Sequence, residues 1–356
     1  MSTTPVRPIF GGTFLHRKFT PESATEDIYN RLEAGSCTHI DIGHIAKGIE
    51  EWIGKTGGGK RFYIDSKTPG GLAPGTSNRA GILQHARELH EFLVIEGKVD
   101  VYYIHMPDPS LPITEMLAGI NDAHQAGYFA RFGLSNFPMT DVENIHSICT
   151  VNGWALPTGY QGSYSAISRK PETVVLPTLR RLGISFHAYS PLCGGFLTKT
   201  PEQIRGGGED AGKFSKSGGL HAEMYNSMYN KPSYLQALEM WAKVAEQAGC
   251  SKAELALRWL AYDSALSTEI YGDAVCIGAS SGKQLSETLE WFKKGSVGEE
   301  ARRKIAEIWR VVEGDAPLDN YDSFFRDNRE RYFVPGARTQ VSRPAEQVLD
   351  SKETRE

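Results

Sequence analysis

The chain has 356 residues, 40% of them hydrophobic and 23% charged, and a formal net charge of -4. This is the make-up of a globular protein long enough to bury a large core, and it offers no basic field for nucleic acid. No apolar run reaches the roughly 18 residues of a membrane span, and "MSTTPVRPIF" lacks the n-region and h-region of a secretory signal, so a cytoplasmic protein without a membrane or nucleic-acid partner is expected.

In chain order, short β-rich runs alternate with helical stretches. The runs are residues 9–14 (IFGGTF), 38–42 (THIDI), 61–67 (RFYIDSK), 99–105 (VDVYYIH), 131–135 (RFGLS), 158–163 (TGYQGS), 184–190 (ISFHAYS) and 273–278 (DAVCIG). Amphipathic segments such as "SATEDIYNRLEAG" and "ITEMLAGINDAHQAG" lie between them, several ending in the glycine that commonly stops a helix. Eight βα units predict a (β/α)8 barrel. A doubly wound open sheet is the alternative, but "FGGTFLHRKF" does not carry its G-x-G-x-x-G signature. One domain is expected over 8–333, including a long Gly-rich excursion at 191–230, followed by a polar tail at 334–356 whose composition favours disorder. Cys37, Cys149, Cys193, Cys250 and Cys276 are scattered and never form C-x-x-C, so they read as reduced thiols, with neither a disulfide framework nor a metal site.

Barrel enzymes build their sites from the carboxyl ends of the strands. Here those ends deliver Thr13, Asp41, Lys67, His105, Ser135 with Asn136, Gln161, Tyr189 with Ser190, and the segment "GASSGKQ" from Gly278 to Gln284. Singly, Asp41 could cap a helix, Lys67 could be solvated and His105 could be a core histidine. Together they occupy equivalent places in successive strands, where an acid, an amine and an imidazole can tune each other's proton affinity. The short polar side chains of Ser135, Asn136 and Gln161 suit an amide-bearing ligand, although turn-forming roles are open to them too. Tyr189 offers a flat face for stacking or a packed ring. The last segment sets hydroxyls and Lys283 at a helix N-terminus, a workable phosphate site or an ordinary Ser-capped helix.

At "THIDIG", "RFYIDSK", "VDVYYIHMPDPSLPITEML", "FARFGLSNF", "GWALPTGYQGSYSAISRKPE", "FHAYSPLCGGFLTKT" and "AVCIGASSGKQLSETL" the chain resembles the aldo-keto reductases, most closely their aflatoxin-aldehyde reductase branch. The resemblance implies a barrel that binds NADPH and transfers its hydride to an aldehyde or ketone, a small-molecule carbonyl or conjugated substrate, here of secondary metabolism, by a monomer or homodimer. Asp41, Lys67 and His105 fall on three of the family's four catalytic positions. Ser135, Asn136 and Gln161 match the carboxamide-holding groups and Tyr189 the ring under the nicotinamide. Ser190, Leu192, Gly194 and Leu197 fall in the pyrophosphate-covering loop, and Ser280, Ser281, Lys283, Gln284 and Glu287 in the adenosine and 2′-phosphate segment. Thr288 stands where the family usually has asparagine.

The fourth position departs. Asp41 is followed by "IGHIAKGIEE", with Ala46 where the resemblance calls for a proton-donating tyrosine, and the stretch to Glu50 is two residues short. A carbonyl that receives hydride must also receive a proton, which alanine cannot supply. Three readings follow. His44 takes the donor role, since its imidazole titrates near neutrality. Alternatively His105 or a water donates in a diverged reaction, such as enone reduction or the dehydration or isomerisation of a polyketide-like substrate. Or the protein is a cofactor-sensing pseudoenzyme, a reading against which the retention of Asp41, Lys67 and His105 argues.

Overall fold

The computed structural model describes residues 4–43, 48–93 and 99–333. Eight parallel strands close a barrel in chain order: β1 Arg7–Gly11, β2 His39–Asp41, β3 Tyr63–Thr68, β4 Val99–Ile104, β5 Phe129–Ser135, β6 Pro157–Ser163, β7 Ser185–Tyr189 and β8 Ala274–Ile277, which returns to pair with β1. Every expected strand is present, with ends shifted by a few residues. Around and beyond them run α1 Glu22–Ala34, α2 Ile49–Lys55, α3 Arg79–Leu93, α4 Ile113–Gln125, α5 Met139–Asn152, α6 Leu176–Leu182, α7 Gly219–Tyr229, α8 Pro232–Gln247, α9 Lys252–Tyr262, α10 Gly282–Trp291, α11 Glu299–Val312 and α12 Arg326–Phe333.

The helices form where apolar residues recur at helical spacing. In α3 the buried residues Ile82, Ala86, Leu89 and Leu93 lie on one face, and burying a leucine or isoleucine there stabilises the fold by about 1.5–3 kcal/mol. The Ser251 hydroxyl accepts the Glu254 N–H at 3.0 Å to start α9. The main core lies between the outer face of the sheet and these helices.

Inside the barrel the apolar content is small. Ile9, Ala274 and Cys276 form a separate cluster against which Tyr189 packs. Side chains alternate between the two faces of a strand, so β3 turns Asp65 and Lys67 to the face opposite Ile64, Ser66 and Thr68. Tyr103 crosses the interior, where its hydroxyl and His187 Nδ1 lie 2.7 Å apart. It fits because residue 133 on the next strand is glycine: a Cβ there would stand 2.3 Å from the Tyr103 ring.

The expected Gly-rich excursion at 191–230 proves to be a chain of helical turns, with Cys193–Thr198, Pro201–Gly206 and Glu209–Phe214 preceding α7. Thr200 and Gln203 cap the second of these reciprocally, with Pro201 at its first position. Phe196 packs its ring against Phe214 at 5.4 Å and Tyr229 at 5.8 Å, and Phe214 meets Tyr225 at 5.7 Å. His44, Ala46 and the polar tail lie outside the described residues.

Candidate active site

Parallel strands bring their carboxyl ends to one rim, and the residues read from those ends meet there. Asp41 closes β2, and Lys67 lies one residue before the end of β3. Lys67 Nζ donates to Asp41 Oδ1 at 2.5 Å and to the Ile42 carbonyl at 2.8 Å. Both side chains are nearly enclosed, 4% and 11% exposed, so the pair is held by desolvated charge and not by a solvated contact. Gln161 Nε2, from β6, donates to the same Asp41 Oδ1 at 3.0 Å and lies 3.6 Å from Cys276 Sγ. Gln161, expected on the cofactor carboxamide, is therefore also a support of Asp41.

A second group sits beside the first. Asn136 Nδ2 donates to the His105 carbonyl at 3.0 Å and to Ser135 Oγ at 2.9 Å, while Asn136 Oδ1 accepts the Tyr189 hydroxyl at 2.6 Å. The Asn320 N–H donates to that same phenolic oxygen at 3.3 Å. Asn136 and Ser190 have left-handed backbones, φ 62° and 56°. Such conformations are uncommon in residues other than glycine and gather at functional sites, where the surrounding bonds fix them.

His105 is partly exposed, but its Nδ1 is buried and has no hydrogen-bond partner among the described residues. Burial, with a smaller push from Lys67, lowers its pKa to about 3. The imidazole is thus neutral at physiological pH, able to offer one N–H or one lone pair but carrying no surplus proton. Gly43 adjoins it: a Cβ at residue 43 would be 3.6 Å from His105 Cε1 and 3.8 Å from Lys67 Cδ. The chain therefore passes against both side chains immediately before His44.

The remaining site residues lie further along the rim. Gly278 follows β8 in open space. Ser280 donates through its N–H and its hydroxyl to Gln284 Oε1, at 2.6 and 2.9 Å, and the Ser281 hydroxyl accepts the Gln284 N–H at 3.2 Å to cap α10. Lys283 is 87% exposed, with Glu287 at 3.9 Å. Leu192 and Gly194 line the turn after Ser190, and Gly194 faces the Tyr225 ring so closely that a Cβ would reach 2.4 Å from it. The side chains of Leu197 and Thr288 are buried.

A cavity of about 850 Å3 opens from His105 and Asn136. Leu72, Met106, Met224, Tyr225, Phe325 and Phe333 give it apolar and aromatic walls, and Lys213 and His221 stand at its edge. Asp65 and Tyr103, within the barrel, were not singled out from sequence, although period-two alternation in "RFYIDSK" places Asp65 on the same face as Lys67. Among the described residues no group of histidine, cysteine or acidic side chains is placed to hold a metal, and no helix is long and apolar enough to cross a membrane. All five cysteines are unpaired.

The barrel and its charged rim define a TIM-barrel enzyme. The aldo/keto reductase family model matches residues 9–310, and the chain belongs to that family of oxidoreductases. It is 36% identical over 280 residues to oxidoreductase sirO of Leptosphaeria maculans, a match spanning 78% of this chain and 83% of that protein. It is 37% identical over 225 residues to aldo-keto reductase family 7 member A3 of Homo sapiens, spanning 62% of this chain and 67% of that one. With aflatoxin B1 aldehyde reductase member 2 of Rattus norvegicus it shares 36% over 225 residues, 62% of this chain and 60% of that protein. The resemblance to the aflatoxin-aldehyde reductases drawn from the sequence motifs holds.

Proposed function

We propose that the protein is an NADPH-dependent carbonyl reductase acting on a bulky, largely apolar aldehyde or ketone, with His44 as proton donor. The observation that carries this reading is the enclosed Lys67–Asp41 pair beside a neutral His105 at the foot of an 850 Å3 cavity. The residues present suit the cofactor: a partnerless buried nitrogen on His105, amide side chains at Asn136 and Gln161, the Tyr189 ring fixed at its hydroxyl, and hydroxyls with an exposed lysine at the start of α10. When bound, the nicotinamide supplies a hydride.

The chain's own residues then handle the proton and the substrate. An ammonium has three donors, and Asp41 and the Ile42 carbonyl take two of those on Lys67. Its remaining N–H and its positive charge lower the proton affinity of a neighbouring acid. His105, neutral, is suited to orienting a carbonyl oxygen by hydrogen bonding and ill suited to giving up a proton, which leaves the donor role to His44. The position of Gly43 against His105 and Lys67 supports that assignment. The apolar walls favour an aromatic or aliphatic carbonyl compound, consistent with a role in secondary metabolism.

The test is to incubate the protein with NADPH and a panel of aromatic aldehydes and follow the absorbance of the reduced nicotinamide. Aldehyde-dependent loss of absorbance is expected, with Lys67→Met nearly inactive. A protein that binds NADPH in titration but consumes none with any aldehyde or ketone would sink the reading.

A further inference from the structure

Asp65 has no part in the site as described so far, yet it lies directly beneath it. The β2–β3 register sets Asp65 beside Asp41, and Lys67 follows two residues on along the same strand face. Asp65 is fully buried. Its Oδ1 accepts the Val101 N–H at 3.1 Å, and its Oδ2 is enclosed without any partner among the described residues. An ionised carboxylate accepts at about four lone-pair sites, so one bond leaves most of a buried charge unanswered.

Charge counting points the same way. The groups facing Asp65 are Asp41 on β2, Lys67 on its own strand, Asp100 and Tyr103 on β4, Arg131 on β5 and Cys276 on β8. His187 on β7, His39 on β2 and Arg7 on β1 lie beyond them, His187 meeting Tyr103, His39 meeting Asp100 and Arg7 meeting His39. Both cations that act on Asp65 are already matched. Lys67 holds Asp41 at 2.5 Å, and Arg131 grips Asp100 with two bonds of 3.0 and 2.7 Å. Asp65 is the third carboxyl beside Lys67 and Arg131, and Arg7, the cation on β1, is placed on His39 instead, with Nη1 2.7 Å from His39 Nε2.

We propose that Asp65 is a positioning residue of the reductase that works as a neutral carboxylic acid behind the Asp41–Lys67 pair, and that losing its proton to solvent shuts the reaction down. The proposal rests on the reading of Asp41 and Lys67 as the reducing site. Ionised, Asp65 would set a second negative charge against Lys67, strengthening the hold of the barrel interior on the ammonium and weakening its influence on the proton donor at the mouth. Burial, followed by the charges of Asp41 and Asp100, pushes the Asp65 carboxyl up to about 8, which puts the change within the working range of an enzyme.

Asp65→Asn keeps the shape and the acceptor for the Val101 N–H and fixes the neutral form. The readout is the ratio of kcat at pH 9 to kcat at pH 6.5, with NADPH and an aldehyde saturating. Loss of the donor's own proton lowers both ratios alike, and one pH unit above its pKa a group is about nine-tenths ionised, so the wild-type ratio should lie about tenfold below that of Asp65→Asn. Equal ratios for the two proteins would overturn the proposal. Infrared titration of the wild type supplies a readout independent of turnover. In the difference between wild type and Asp65→Asn, which cancels the buried Asp319 carboxyl that desolvation raises to about 6, a protonated-carboxyl C=O band should be present at pH 6.5 and vanish by pH 9.5. Its absence at pH 6.5 would overturn the neutral carboxyl even in an active reductase. A band present in a protein that reduces no carbonyl compound would sink the reductase reading, and the role in turnover with it, while leaving the protonation of Asp65 standing.

Discussion

Replacing Lys67 by methionine removes the ammonium while keeping most of the volume. Asp41 then retains Gln161 Nε2 at 3.0 Å as its side-chain donor among the described residues, in a position where its side chain is only 11% exposed. Breaking one partner out of a buried pair costs about 3–5 kcal/mol, because the remaining charge is left uncompensated. Asp41→Asn strands the other charge, with the Ile42 carbonyl at 2.8 Å still bound to Lys67. The double variant strands neither, so its loss should be smaller than the sum of the single losses by at least about 1 kcal/mol. Urea unfolding at pH 7, followed by tryptophan fluorescence, measures all three. Losses that add to within about 0.5 kcal/mol would refute the coupling, and with it the view that Lys67 and Asp41 form one charged unit. Turnover of either single variant should fall by about two to four orders of magnitude, the scale of proton-transfer catalysis.

Lys283→Ala should weaken NADPH by about tenfold, the effect of one charge-assisted contact, and hardly change NADH, as read by fluorescence titration; equal losses would remove Lys283 from the phosphate. His44→Ala should lower kcat by about two to four orders of magnitude with NADPH affinity held, and full turnover on an aldehyde would return the donor role to water or substrate. Acid stability should follow His105 and His187, whose pKa values burial lowers to about 3. Each is neutral in the fold but gains a proton near pH 6.5 when unfolded. Their contribution is therefore complete above about pH 6.5 and lost as pH falls towards 3, by up to about 1.4 kcal/mol per pH unit for each. His187→Gln should flatten that slope between pH 6.5 and 5 in urea titrations, and an unchanged slope would show that His187 is not buried neutral.

The barrel was legible because eight β-rich runs alternate with helical stretches, a repeat that chain order alone displays. Asp41, Lys67 and His105 were legible for the same reason: parallel strands carry equivalent positions to one rim. The interior was less so. Asp65 and Tyr103 sit within runs whose strong β-propensity draws attention to their apolar neighbours, and only the alternation of faces distinguishes them. The bond from Gln161 to Asp41 joins residues 120 apart in sequence, and no local pattern announces it. In the 191–230 segment the glycines hid helical turns, although the Thr200, Pro201 and Gln203 cap and the Tyr225 and Tyr229 spacing were there to be read.

The most direct measurement is isotope transfer. With NADPH deuterated at the transferring position and an aromatic aldehyde, one deuterium is expected on the carbinol carbon of each product molecule, with about two to four orders of magnitude less deuterated alcohol formed in the same time when Lys67 is methionine. Alcohol formed without deuterium, or a deuterated cofactor left unconsumed beside a tightly bound aldehyde, would contradict the reductase reading.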